Sequence, residues 1–234
     1  MKEIDYLQKY KDKIAKKDLM LLAEDYPVQY LVGHVDFLQY RILVNENVLI
    51  PRFETEYFVT KIVDYLQQYQ LKTILEIGTG SGCIAIALAK MMKVNMTAID
   101  ISKKALKVAR KNAKLNNCNI KFLVSDLFEN IDDKYDVIVS NPPYLDVDDC
   151  VMLKVKKYEP HAALFADNNG LMIIENILKS APRYLNEKSL LALEIGEKQA
   201  NSVKKIAKKH FPMAKVLIEE DLCGKDRYVF IINN

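Results

Sequence analysis

Glu76-Ile-Gly-Thr-Gly-Ser-Gly82 closes the apolar run Thr73-Ile-Leu-Glu-Ile77 and opens an Ala- and Ile-rich stretch from Gly82 to Met92. The pattern reads as a strand entering a helix through a glycine turn. Glycine at every second position lets the backbone approach a ligand with no side chain between them. Cys83 stands where a dinucleotide fingerprint wants its third glycine, which argues against NAD. A pyrophosphate needs a helix N-terminus as an anion cradle. S-adenosylmethionine carries no phosphate and asks for close backbone contact along its amino acid portion.

From this turn the rhythm runs on as strand and helix in alternation. Val94–Ile99, Ile120–Val124, Tyr135–Ser140, Ser189–Ile195, Val216–Glu219 and Arg227–Ile232 read as further strands. Between them, Ala105, Ala109 and Ala113 mark a helix that Ser102 can cap, and residues 169–186 and 197–210 read as helices. The expected fold is α/β: seven strands in a mostly parallel, doubly wound sheet. Upstream, residues 2–24 suggest one or two short amphipathic helices, ended by Pro27, and form a small lid or adaptor. Val35–Val44 and the pulse Val48–Ile50, separated by Asn45-Glu-Asn47, read as a β-hairpin. Thr55 and the neighbouring glutamates suit a helix start, with Val59, Ile62, Val63 and Leu66 on one face. Residues 1–50 then form a helical segment plus hairpin, and 51–234 the main domain.

Three strand ends converge on the crevice where such sheets bind ligands. Glu76 fits an orienting role beside the cofactor's zwitterion. Asp100, closing the second strand, can accept both ribose hydroxyls. Asp126 and Leu127, closing the third, suit the adenine amine and ring. The expected cofactor contacts are Glu76, Gly78, Thr79, Gly80, Ser81, Gly82, Asp100, Asp126, Leu127 and Asn141.

The fourth strand, Tyr135-Asp-Val-Ile-Val139, runs into Ser140-Asn-Pro-Pro-Tyr144. An Asn amide offers an acceptor and two donors, two prolines stiffen the backbone, and Tyr144 supplies a flat face. Such a claw suits a planar NH2. The Asn141 oxygen and Pro142 carbonyl accept its hydrogens, leaving the lone-pair direction to face a methyl donor. Asn141, Pro142 and Tyr144 are the expected catalytic set; Pro143, Arg52 and Phe53 join them around the substrate. Arg52 reads equally as a substrate contact or as an ion pair with Glu54 or Glu56. Glu159 reads as a buried helix–loop contact, and Tyr158 and Phe165 as mouth or core.

Composition sets the outer limits. The chain has 234 residues, half of them apolar, and a net charge of only +3 from 34 basic and 31 acidic residues, so no global field points to bare duplex. The lysine clusters read as solvated faces, with a second reading for Lys156-Lys157, which flanks the expected mouth and suits an RNA-associated partner. Cys83, Cys118, Cys150 and Cys223 form no C-x-x-C pair, and His34, His161 and His210 lack metal or triad spacing. A reduced, cytoplasmic, metal-free monomer is expected, with neither a signal peptide nor a membrane span.

Both motifs together resemble the peptide chain release factor glutamine methyltransferases, the PrmC/HemK family. The resemblance runs from about Tyr26 to the C-terminus. It rests on Pro27-Val-Gln-Tyr-Leu-Val-Gly33, Val48-Leu-Ile-Pro-Arg-Phe-Glu-Thr-Glu56, the glycine loop, Ser140–Tyr144, Glu159-Pro with Ala163-Leu164, Glu194-Ile-Gly196 and Gly224-Lys-Asp-Arg227. It implies a Rossmann-like class I S-adenosylmethionine methyltransferase fold. It also implies an activity: methylation of the glutamine N5 in the Gly-Gly-Gln loop of class I translation release factors. Asn141 and Tyr144 then hold that amide, and Gly78–Gly82, Asp100 and Leu127 the cofactor. The family commonly has a longer N-terminal helical domain than the residues preceding Tyr26 here. Phe53 replaces a usual proline, and Leu127 a frequent aromatic. Two other classes compete: an adenine-N6 methyltransferase acting on RNA or DNA, which applies the same claw to a flipped base, and a non-catalytic cofactor-binding protein.

Overall fold

The computed structural model describes residues 3–149 and 152–233. Its centre is a seven-stranded sheet built from β3 (Thr73–Ile77), β4 (Asn95–Asp100), β5 (Lys121–Val124), β6 (Tyr135–Ser140), β7 (Leu185–Glu194), β8 (Lys215–Glu220) and β9 (Asp226–Asn233). The strand order is β5-β4-β3-β6-β7-β9-β8. The pairings from β5 through β7 are parallel, and β9 runs antiparallel to both β7 and β8. The expected doubly wound α/β sheet is therefore present.

Side chains alternate across the sheet with the period of two that a pleated strand imposes. Val137, Val139, Leu190, Ala192, Tyr228 and Phe230 face one core, shared with α4 (Phe53–Tyr69), α5 (Cys83–Met91) and α6 (Lys103–Leu115). Their chain neighbours Ile138, Leu191, Leu193, Val229 and Ile231 face the other, shared with α8 (Met172–Ser180) and α9 (Ala200–His210). Ser102 caps α6 as expected, its hydroxyl accepting from the Ala105 amide. Strand order reverses between β3 and β6, so the segments leaving those two strands flank the crevice together.

The N-terminal part carries α1 (Glu3–Tyr10), α2 (Lys16–Ala23), α3 (Val28–Val32) and the hairpin β1 (His34–Phe37) with β2 (Tyr40–Leu43). The hairpin turn lies at Leu38-Gln39, with Phe37 opposite Tyr40, rather than at Asn45–Asn47. Leu38 adopts φ +53°, a left-handed conformation that Gly or Asn usually signals, so this turn was silent in the sequence. Asn45 makes a local turn by accepting from the Asn47 amide, and Val48–Ile50 is not a strand. Residues 185–186 belong to β7 rather than to a helix, because Pro182 confines the chain after α8 to a single 3-10 turn. Two short helices were unforeseen: α3, and α7 (Leu153–Tyr158) in the long segment after β6. Tyr30, Phe37, Ile42, Val48 and Ile50 share the core of α4 and α5, so the hairpin packs into the main body. Cys83, Cys118 and Cys223 are free thiols, and Cys150 lies outside the described residues. Among the described residues no helix is long and apolar enough to cross a membrane.

Candidate functional site

A cavity of about 460 Å³ opens at the carboxyl ends of β3, β4 and β6. That volume is in the ordinary range for a small-molecule site. Gly78–Ser81, Asp100, Asp126–Leu127 and Asn141–Pro143 all line it, so the two motifs the sequence singled out meet in one space.

Glu76 is buried at the end of β3. Its Oε2 accepts from the Thr79 hydroxyl at 2.7 Å and from the Ala85 amide at 3.1 Å, which ties the loop to the first turn of α5. Burial pushes its pKa up to about 8, against the pull of those two bonds, and the nearby Asp100 charge adds to the rise. Asp100 spans the loops: Oδ2 accepts from the Gly80 amide and Oδ1 from the Ser102 amide, both at 2.8 Å. Burial raises its pKa and these bonds oppose the rise.

The glycines divide by role. Gly78 and Gly80 line the cavity with φ +71° and +54°, and a Cβ on either would meet no protein atom within 4 Å. The space in front of them belongs to the cavity. Gly82, also expected to touch cofactor, instead packs α5 on α6: a Cβ there would sit 3.2 Å from that of Ala109. Leu127 holds φ +44°, its carbonyl accepts from the Ser125 hydroxyl at 2.8 Å, and with Asp126 it borders the cavity.

Across the cavity, the Ser140 hydroxyl donates to the Ile77 carbonyl at 2.8 Å and pins the end of β6 to β3. Asn141 Nδ2 donates to Thr55 Oγ1 at 3.2 Å, and that hydroxyl donates to Glu194 Oε2 at 2.8 Å. The Tyr144 hydroxyl donates to Glu194 Oε1 at 3.4 Å. Tyr144 packs against the core shared with α8 and α9 and does not line the cavity, whereas Asn141, Pro142 and Pro143 do. Gln199 Nε2 donates to the Tyr144 carbonyl at 3.0 Å, holding the far end of the segment.

Arg52 lines the cavity and pairs with Glu159, not with Glu54 or Glu56: Nη2 lies 2.6 Å from Glu159 Oε1. The buried Glu159 also accepts from the Ile50 amide at 3.0 Å, as a helix–loop contact should. Phe53 is 66% exposed and off the cavity. Phe165 lines the cavity, while Tyr158 donates to the Glu24 carbonyl and packs edge-on against Tyr26, anchoring the N-terminal segment. Among the described residues no group of His, Cys, Asp and Glu could hold a metal ion.

Sequence reasoning did not assign Thr55 and Glu194 to the site. Glu194 did leave a trace, as a lone carboxylate ending the apolar run Leu190-Leu-Ala-Leu-Glu194. Asn112 left none. Buried on α6, it accepts from the Leu43 amide and donates to the carbonyls of Leu43 and Ser81, joining the hairpin to the glycine loop.

Residues 59–221 match the family model of the methyltransferase small domain. A release factor glutamine methyltransferase of Lactococcus lactis subsp. lactis (strain IL1403) is 41% identical over 241 residues, covering 99% of this chain and 89% of the relative. Another, from Streptococcus pneumoniae (strain ATCC BAA-255 / R6), is 45% identical over 213 residues, 90% of this chain and 76% of the relative. Among solved structures, the ribosomal protein L11 methylase of Lactobacillus delbrueckii subsp. bulgaricus superposes with TM-score 0.62 at 20% identity, covering 82% of this chain and 86% of that one. The protein-(glutamine-N5) methyltransferase (release factor-specific) of Alicyclobacillus acidocaldarius subsp. acidocaldarius DSM 446 gives 0.50 at 24% identity, over 82% and 98%. These structural likenesses show the fold. The sequence relatives go further: because they match along nearly the whole chain and not through the sheet alone, the chain belongs to the release factor glutamine methyltransferases.

Proposed function

We infer that this chain transfers a methyl group from S-adenosylmethionine to the side-chain N5 of the glutamine in the Gly-Gly-Gln loop of class I translation release factors. The observation that carries the reading is the single cavity lined by both the glycine loop and Asn141-Pro-Pro143. Its donors and acceptors suit that cofactor: open backbone at Gly78 and Gly80, the Glu76 carboxylate toward an ammonium, Asp100 toward ribose hydroxyls, and the apolar Leu127 beside a purine. When bound, the cofactor supplies a methyl group on a positively charged sulfur.

An amide nitrogen is a weak nucleophile because its lone pair is delocalised into the carbonyl. Acceptors at Asn141 Oδ1 and the Pro142 carbonyl hold the two N–H groups, align the nitrogen and take up positive charge as it develops. No strong base is needed, since the methylated amide cation sheds its proton readily. Arg52, fixed by Glu159, shapes the wall where the substrate enters. Residues 1–50 are the N-terminal helical segment and hairpin, whose stretch before Pro27 serves as the docking adaptor, and 51–234 are the catalytic domain. The protein works as a cytoplasmic monomer and requires no nucleic acid.

The test is a transfer assay with labelled S-adenosylmethionine, offered a purified class I release factor and, separately, RNA and DNA. Label in the protein supports the reading. Label in nucleic acid alone replaces it with the adenine-N6 reading, and label in neither with a binding protein.

A further inference from the structure

The geometry points to Glu194 as a positioning residue that holds both ends of the Asn-Pro-Pro-Tyr segment, acting on Asn141 through the Thr55 hydroxyl and on Tyr144 directly. This rests on the methyl-transfer reading above.

A threonine hydroxyl has one hydrogen to give, and that of Thr55 goes to Glu194 Oε2 at 2.8 Å. Facing Asn141, the Thr55 oxygen can therefore only accept. It takes a hydrogen from Nδ2 at 3.2 Å, so the Asn141 amide sits with its nitrogen toward Thr55. The reverse orientation would set Oδ1 against an oxygen with no hydrogen to offer. Asn141 Oδ1 is thereby kept as an acceptor for the substrate NH2. On its other oxygen Glu194 receives the Tyr144 hydroxyl at 3.4 Å, three residues further along the same segment. One buried carboxylate on β7 thus links α4, Asn141 and Tyr144.

The device depends on Glu194 being ionised. A protonated Glu194 can donate to Thr55, which frees the Thr55 hydrogen to satisfy a reversed Asn141 amide. Burial raises the Glu194 pKa to about 7, with Glu54 from α4 adding to the rise; the bonds from Thr55 and Tyr144 and the Arg227 guanidinium from β9 oppose it. Tyr228 of β9 and Cys83 of α5 also face this charge. The active, ionised form is therefore gained as pH rises through about 7.

The experiment measures methylation of a purified release factor at saturating S-adenosylmethionine, as kcat and as kcat/KM against pH, together with S-adenosylhomocysteine affinity by calorimetry. Wild-type transfer to the release factor establishes the underlying reaction first; its absence overturns that reading and this inference with it. Given transfer, Thr55→Val should lower kcat on the order of 10- to 100-fold with cofactor affinity within about twofold, and Thr55→Ser should restore most of it. Glu194→Gln should lower kcat similarly and abolish the acid limb of kcat/KM. Circular dichroism checks that Glu194→Gln is folded; if it is not, the Thr55 pair still decides. A Thr55→Val enzyme with wild-type kcat, or an acid limb that survives in folded Glu194→Gln, overturns the inference.

Discussion

Asp100 Oδ2 accepts from the Gly80 amide at 2.8 Å, which ties the carboxylate ending β4 to the glycine loop after β3. A cofactor held by either is held by both. Asp100→Ala should weaken S-adenosylhomocysteine binding by about 1.5–3 kcal/mol, the scale of hydrogen bonds to a charged group. Titration calorimetry measures it, and unchanged affinity would confine Asp100 to tethering the two loops.

In the proposed site, Glu76 should couple cofactor binding to protons. Its folded pKa, about 8, lies above the ordinary 4.5, so the stability it contributes is full below about 4.5 and is lost as pH rises through about 8. Urea unfolding of the ligand-free protein should show this loss, and Glu76→Gln should flatten it. A bound ammonium favours the carboxylate, so wild-type protein should release a proton on binding near pH 7. Calorimetry in buffers of different ionisation enthalpy detects that release, which Glu76→Gln should lack.

Gly80 and Gly82 look alike in the sequence and should fail differently. Gly82→Ala forces a Cβ toward Ala109 at a positive φ and should destabilise the fold by roughly 1–3 kcal/mol. Gly80→Ala bears the same positive-φ strain but meets no protein atom and fills the proposed cofactor space, so it should add a loss of affinity, about tenfold or more, that Gly82→Ala lacks. Paired melting and binding measurements separate the two. Equal losses of both kinds in the two variants would contradict the division.

Asn112→Ala should cost about 2–4 kcal/mol in urea unfolding, because it strips partners from the Leu43 amide and carbonyl and from the Ser81 carbonyl in a buried place. A loss below about 0.5 kcal/mol would mean that water replaces the side chain there.

The parts of the fold legible in the sequence were those with a local signal. Apolar runs ending at Ile77, Asp100 and Ser140 placed three strand ends, and those ends placed the cavity. The hairpin turn escaped because Leu38 takes a left-handed conformation its residue type does not advertise, while Asn45-Glu-Asn47 advertised a turn that reverses no strand. Within the site, loop residues could be read from their neighbours. The bond from Thr55 to Glu194 spans 139 positions, and only the packing of α4 against the end of β7 brings that pair together. At Gly82 the motif position also serves helix packing, against Ala109 of α6, which its neighbours in the sequence do not announce.

The most direct measurement is peptide mass spectrometry of a class I release factor after incubation with S-adenosylmethionine and either the wild-type enzyme or Asn141→Ala. The account predicts one methyl group on the side-chain amide of the Gly-Gly-Gln glutamine with wild type. With Asn141→Ala it predicts turnover lower by about 100- to 1000-fold at nearly unchanged cofactor affinity, as for loss of a preorganised hydrogen bond to developing charge. A methyl group found only on adenine, or wild-type glutamine methylation by Asn141→Ala, would contradict it.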